Sequence, residues 1–270
     1  MNSDKSEFIG VAFRAAMLAG EHILNNLGKI SQSDIDTKQA SDFVTRVDRE
    51  SEQIIIDAVR KKFPDHHFLA EESSRKDDSG EYRWIIDPLD GTTNFIHGYP
   101  VFSVSIALEV KGEVILGLVY DPLRHEIFSA EKGKGAFLNG KPVKVSSVPD
   151  LTNSLVTTGF PFRRKDLINA YLDLFKKIFY KVSDIRRAGS AALDLASLAS
   201  GRCDCFFEIG LSPWDIAAGS ILVKEAGGII TDFGGGTDYM LTGNIVAATP
   251  VLHREILQEV KGVFSGTIDK

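Results

Sequence analysis

The chain has little sulfur, no excess of basic residues and no long apolar run, and each shortage excludes something. Its only cysteines, Cys203 and Cys205, stand two apart, and residues i and i+2 of a strand share a face in a geometry ill-suited to a disulfide. The spacing predicts two small buried side chains on one strand face, a reducing cytoplasm, and no zinc site built on thiolates. No stretch approaches the roughly 18 apolar residues of a membrane span. Met1-Asn2-Ser3-Asp4-Lys5-Ser6-Glu7 lacks the basic-then-apolar order of a leader, so the protein is expected to stay in the cytoplasm, off the membrane. Lys and Arg number 31 against 37 Asp and Glu, a formal charge of −6, which argues against non-specific binding to nucleic-acid phosphates. An acidic protein still binds an anion when metal cations lie between them.

What is present is an enzyme-sized globule. At 270 residues and 43% hydrophobic, it can bury one large core or two closely joined ones. Phe8, Val11, Ala12, Ala15, Leu18, Ala19 and Ile23 recur at helical spacing and predict a helix over 6–27. Val47, Ile54, Ile55, Ala58, Val59 and Phe63 predict a second, stopped by Pro64. Between them, residues 28–41 read as a polar loop. Strands follow at 67–70 and 82–87, then a hairpin of 102–110 and 113–120 turning at Lys111-Gly112, with further strand and turn material at 125–131 and 136–141.

Beyond Val143 the order becomes strand 154–158, helix 165–179, strand 182–185, helix 190–200 and strand 203–208. Helix 214–226, strands 229–232 and 245–248 and helix 250–263 complete the chain. Alternation of this kind predicts α/β layers. The expected organisation is an α+β half over 1–143 and an α/β half over 144–270, sharing an extensive interface. Gly234-Gly235-Gly236 and Gly133-Lys134-Gly135 lack the strand, helix and spacing of a nucleotide cradle and are read as a loop and a hairpin.

The chemistry concentrates in Trp84-Ile85-Ile86-Asp87-Pro88-Leu89-Asp90-Gly91-Thr92, where an apolar strand delivers two carboxylates around a proline turn. Gly91 permits close approach and Thr92 can open a helix whose free N–H groups face an anion. Hard cations such as Mg²⁺ take oxygen ligands and few of them from protein, so several acids serve more than one ion. Glu71, at the end of another short strand, and Asp215, opening a helix of small residues, are the further sources. Each acid alone is as well explained as a turn former, a helix cap or a solvated side chain.

Taken in order, Asp87-Pro88-Leu89-Asp90-Gly91-Thr92-Thr93-Asn94-Phe95-Ile96-His97-Gly98, Trp214-Asp215-Ile216-Ala217-Ala218-Gly219, Glu225-Ala226-Gly227-Gly228, Asp42-Phe43-Val44-Thr45-Arg46-Val47-Asp48 and Glu71-Glu72-Ser73 resemble the inositol monophosphatase family. The resemblance implies a layered α-β-α-β-α sandwich, usually a homodimer. It implies two Mg²⁺ ions, one on Glu71, Asp87 and the Leu89 carbonyl and one on Asp87, Asp90 and Asp215, with a weakly held third near Glu71 also seen in the family.

By the same resemblance Glu71, Thr92 and Asp48 are catalytic, the last two orienting or deprotonating the attacking water. Asp90 and the amides of Gly91 and Thr92 would meet substrate phosphate. Ser190, Ala191 and Glu208 would line the polyol pocket, and Lys38, in the loop that closes over the metals in relatives, would meet the phosphate or a metal-bound water. The implied reaction is hydrolysis of myo-inositol 1-phosphate. Fructose-1,6-bisphosphate and 3′-phosphoadenosine 5′-phosphate are alternative substrates, for which Arg163-Arg164 and Arg186-Arg187 are the evident basic clusters. A partner-binding role on a phosphatase scaffold is the reading from another class. His66, His67 and His97 are read as structural.

Overall fold

In the computed structural model, which describes residues 3–39, 42–73, 80–265 and 268, helices and sheets alternate through five layers. Helix α1 (Ser3–Asn26) leads through a 3-10 turn at Gln32–Asp34 into strands β1 (Ile35–Gln39) and β2 (Asp42–Thr45), then into α2 (Arg46–Arg60). Thr45 caps α2, its hydroxyl accepting from the Val47 and Asp48 amides. The small residues Ala12, Ala15, Ala16 and Ala19 of α1 are fully buried. A Cβ placed on Gly20 would lie 2.3 Å from the Tyr120 ring, so the first helix lies close against the sheet beneath it.

That sheet has seven strands in chain order: β3 (His67–Ala70), β4 (Tyr82–Asp90), β5 (Ser103–Val110), β6 (Glu113–Asp121), β7 (Glu126–Glu131), β8 (Gly135–Leu138) and β9 (Lys141–Val143). Only β3–β4 is parallel; the other pairs are antiparallel. The period of two sorts the side chains. Trp84, Ile86, Val104, Ile106, Leu116 and Leu118 pack toward α1 and α2, while Ile85, Ala107 and Val119 face the other way.

Following the short helix α3 (Thr92–Ile96), α4 (Ile168–Phe179), α5 (Ala191–Ala199), α6 (Pro213–Glu225), α7 (Tyr239–Thr242) and α8 (His253–Phe264) complete the helices. The second sheet runs β11 (Asp184–Arg186), β10 (Leu155–Thr158), β12 (Cys205–Glu208), β14 (Ile245–Ala248), β13 (Ile229–Thr231), parallel across the first three and antiparallel across the rest. Helices α5 and α6 fill the layer between the sheets, and α4 and α8 cover the outer face. This is the layered sandwich expected from the sequence.

Close approach holds the middle layer. A Cβ on Gly219 would lie 2.5 Å from Leu195, and one on Gly117 would lie 2.6 Å from the Ala218 carbonyl oxygen. The small residues of α6 thus set its distance to both α5 and the large sheet. The Glu225 carboxylate accepts from the Gly133 and Gly135 amides at 2.8 and 2.9 Å, tying the β7–β8 turn to the end of α6. Both glycine clusters are turn and loop, as expected, with Asp232 accepting from Gly236 across the second.

Three expectations change. Residues 28–41 are not a plain loop: the 3-10 turn and the β1–β2 hairpin occupy this stretch, with Ala40 and Ser41 outside the described residues. Ile35 is half-buried and Asp36 exposed, so the strand carries too little apolar alternation to be read. Cys203 and Cys205 do not share a face, because β12 begins only at Cys205. Asp204, bonded to the Leu155 amide at 2.7 Å, turns the chain there, leaving Cys203 in the middle layer and Cys205 in the outer one. Both thiols are free and buried, and burial pushes both up. Finally, α7 went unforeseen, its four residues being too few for a periodic signal.

His66 lies between Phe63 and Tyr82, stacked on each at 4.7 Å, and its Nδ1 accepts from the Trp84 indole at 2.9 Å. That is the structural role read for it.

Candidate active site

Four elements deliver the acids. Parallel pairing of β3 with β4 sets Ala70 opposite Ile86, so Glu71 follows beside Asp87, and the Glu71 amide donates to the Ile86 carbonyl at 3.2 Å. Within a regular strand Asp87 and Asp90 would point to opposite faces. Pro88 has no N–H to give, and the β4–β5 register shifts between Asp87 and Asp90. This bulge re-aims the strand end so that both carboxylates reach one space. The expectation of two acids converging at a proline turn is met, with the strand running on through Pro88 to Asp90.

Asp215 comes from the second half of the chain, in the first turn of α6 after Pro213, where its carboxylate accepts from the Ser212 amide at 2.7 Å. One ligand atom from each of Asp87, Asp90 and Asp215 lies within 4.8 Å of the others. Asp90 is fixed by the α5 cap, accepting from the Ser190 hydroxyl at 2.5 Å and the Ala192 amide at 2.9 Å. Gly91 has φ 96°, and a Cβ there would lie 2.9 Å from the Val101 carbonyl oxygen. Asn94 donates to the Val101 and Ala188 carbonyls at 2.7 and 3.0 Å, joining the strand end to the turn before α5.

Burial and mutual repulsion set the electrostatics. Burial, then the charges of Glu71, Asp90 and Asp215, hold Asp87 well above the usual carboxylate range. Burial and Asp215 push Asp90 up to about 7. Arg163 donates to Asp215 at 3.1 Å. The donors are hard oxygens, the Leu89 carbonyl among them, so they fit a hard divalent cation of the Mg²⁺ kind and leave a charge deficit that such an ion corrects.

Thr92 Oγ1 donates toward Asp48 Oδ1 at 2.7 Å, with the Leu89 carbonyl at 3.1 Å as a second acceptor. Asp48 is fully buried on α2, and its other oxygen accepts from the Thr45 amide at 2.9 Å. One turn further along α2, the buried Glu52 accepts from the Glu72 amide at 2.7 Å. Helix α2 therefore grips the loop after β3 as well as Thr92.

The three-acid cluster, Glu71, Leu89 and Thr92 border one cavity of about 300 Å³. Of the residues named from the sequence, Glu71, Asp87, Leu89, Asp90, Gly91, Thr92, Ser190, Ala191, Glu208 and Asp215 line it; Asp48 reaches it through Thr92. The Lys38 side chain lies outside the described residues. Glu208 is buried, and burial pushes it up to about 8. A Cβ on Gly159 would fall 1.9 Å from its carboxylate, so glycine there makes room for the acid. Arg163 and Arg187, weighed as basic candidates, line the cavity; Arg187 sits over the Phe160 ring at 5.7 Å. The reading missed Asp194, also on the wall. Its signal was a lone acid in the apolar run Ala191-Ala192-Leu193-Asp194-Leu195-Ala196.

The five layers and an oxygen-lined acid cluster at the ends of β4 and α6 define a phosphatase-type scaffold. The chain belongs to the inositol monophosphatase family, whose sequence profile matches residues 4–264. A protein named Nus factor SuhB from Escherichia coli (strain K12) is 46% identical over 263 residues, 97% of this chain and 98% of that one. The crystal structure of extragenic suppressor protein suhB from Bartonella henselae superposes with a TM-score of 0.90 at 40% identity, covering 94% of this chain and 98% of that chain. The inositol monophosphatase structure from Anabaena (Nostoc) sp. gives 0.87 at 38% identity, over 96% and 97%.

Proposed function

We propose that this protein is a Mg²⁺-dependent phosphatase that hydrolyses a polyol phosphate monoester, with myo-inositol 1-phosphate the leading substrate. The observation that carries this is the meeting of Asp87, Asp90 and Asp215 within 4.8 Å, beside the Thr92–Asp48 hydrogen bond. Glu71, Asp87, Asp90, Asp215 and the Leu89 carbonyl would hold two Mg²⁺ ions, with a third near Glu71. Bound there, the metal supplies charge neutralisation for the phosphoryl oxygens and the departing alkoxide.

The residues themselves divide the remaining work. Thr92 gives its proton toward Asp48, which leaves an oxygen lone pair free to accept from the attacking water. Asp48, buried and held by the Thr45 amide, is the carboxylate toward which that proton is passed. Positioning Glu71 beside Asp87 allows it to share in orienting the water. The Gly91 and Thr92 amides meet the phosphate, with Lys38 as a further contact, and Ser190, Ala191 and Glu208 form the wall against which the alcohol rests. In this reading residues 1–143 supply most metal ligands, and residues 144–270 supply Asp215 and the alcohol wall. A homodimer in the cytoplasm belongs to the same proposal, and light scattering on the purified protein tests the assembly.

The deciding assay is phosphate release from myo-inositol 1-phosphate with and without Mg²⁺, run beside fructose 1,6-bisphosphate and 3′-phosphoadenosine 5′-phosphate. Turnover of the inositol ester that requires Mg²⁺ supports reaction and substrate together. Turnover of another ester alone keeps the metal chemistry and replaces the substrate.

A second reading is favoured by the Nus factor name of the Escherichia coli relative: the chain also serves as such a factor. The negative overall charge weighs against direct nucleic-acid contact and says nothing against a protein partner. Complementation of an Escherichia coli strain lacking its own SuhB, by wild type and by Asp90→Asn, separates the roles. Rescue by both assigns a role independent of hydrolysis.

A further inference from the structure

Among the described residues most buried acids have a hydrogen-bond donor to account for them, whereas two do not. Asp48, Glu52, Asp87, Asp121, Asp204 and Asp215 are buried, and each accepts a backbone amide. Asp194 is 4% exposed and Glu208 6%. Neither accepts a hydrogen bond from any described residue. Both line the cavity, and neither belongs to the three-acid cluster. An isolated buried carboxylate costs far more than a leucine or alanine at the same place, and nothing in the packing of α5 requires one: Leu193, Leu195 and Ala196 around it are core residues.

Placement narrows the ligand. Asp194 lies in the first turn of α5, directly after the Ser190-Ala191-Ala192 segment that holds Asp90. Glu208 ends β12 in the neighbouring sheet. Burial raises each above its ordinary range, and the charges of Glu208 at Asp194 and of Asp90 at both add to it. Two carboxylates among the described residues are too few for another hard-cation site, and both accept hydrogen bonds without repelling a neutral donor. Both acids feel the charge of Arg187, and Glu208 that of Arg163 as well. Arg163 is engaged with Asp215, and Arg187 is an exposed residue at the mouth over Phe160.

We propose that Asp194 is a specificity-determining residue: with Glu208 it forms a two-carboxylate wall that takes adjacent hydroxyls of a polyol or sugar monophosphate and disfavours esters bearing a second phosphate. This deepens the phosphatase reading and rests on it. A hydroxyl pair satisfies both acids at once and favours their ionised form, against which an additional phosphate brings like charge.

The test is kcat/KM of wild type and Asp194→Asn on myo-inositol 1-phosphate, 4-nitrophenyl phosphate and fructose 1,6-bisphosphate, all with Mg²⁺. The expected result is a fall of about tenfold on the inositol ester with 4-nitrophenyl phosphate held within about twofold, since a hydrogen bond to a charged group is lost only where the substrate has a hydroxyl to give. The preference for inositol ester over bisphosphate should narrow in step. Gly159→Ala, which pushes a methyl into the Glu208 carboxylate, should show the same hydroxyl-dependent signature. Equal losses on all three esters, or no change on the inositol ester, overturn the role of Asp194 and leave the phosphatase standing. Absence of turnover of every ester by the wild type overturns both.

Discussion

Two groups of buried carboxylates line the cavity in different company. Asp87, Asp90 and Asp215 crowd within 4.8 Å, and in the proposed reading a cation would relieve their repulsion. Asp194 and Glu208 lie outside that cluster, and in the same reading relief would come from a proton or a donor hydroxyl. Carboxylates desolvated to a similar degree would, on these proposals, serve as ligands where they converge and as a recognition wall where they do not. Number and convergence, and not burial, separate the two uses.

The largest effect should come from breaking the metal end. Asp90→Asn keeps an oxygen for the Ser190 and Ala192 donors but removes a charge, and kcat should fall about a thousandfold because Lewis-acid stabilisation is worth several kcal/mol and each 1.4 kcal/mol is tenfold. Phosphate release under saturating Mg²⁺ measures it, and near-normal turnover would remove Asp90 from the mechanism. Thr92→Val cuts the link to Asp48 without touching a metal acid. A loss of about a hundredfold in kcat, with KM nearly constant, is expected for a proton-transfer group.

Withdrawing the metal sharpens the electrostatic side of the comparison. Asp90 is raised from 3.8 to about 7, so in the metal-free folded state it keeps a proton that the unfolded chain has already released. The unfolded chain then binds fewer protons, and stability falls as pH rises from about 4 to about 7. Melting curves in a chelator should therefore show a lower Tm at pH 7.5 than at pH 5.5, and Mg²⁺ should restore it most strongly at the higher pH. The smallest effect belongs to Cys203→Ser. Its thiol is buried in the middle layer away from the cluster, so activity should stay within about twofold, with only a modest loss of Tm as expected for a core polar substitution.

Much of the metal end was legible because the chain spells it in contiguous pieces: a strand, a proline turn and a glycine for Asp87 to Thr92, and a proline-started helix for Asp215. The layer order was implied by the resemblance those pieces carry, whereas the strand and helix periods alone reached only a mixed α/β chain with an antiparallel first half. What stayed hidden depends on relations between segments. The bulge that turns Asp90 alongside Asp87 exists only in the register with β5. The parting of Cys203 from Cys205 is made by Asp204 bonding to Leu155, about fifty positions away in the chain. Asp194 was visible only as an odd letter in an apolar helix, and its meaning came from Glu208 across the cavity.

The close seats of Gly219 on Leu195 and of Gly117 on α6 carry an implication for how such a protein acquires new substrates. With backbone nearly touching its neighbours two layers below the surface, the frame offers no slack through which the cavity can be widened. Descendants that adopt a different ester would do so by exchanging side chains along the wall, at positions such as Gly159, Arg163, Arg187, Asp194 and Glu208, while the spacing of the helices beneath is inherited unchanged.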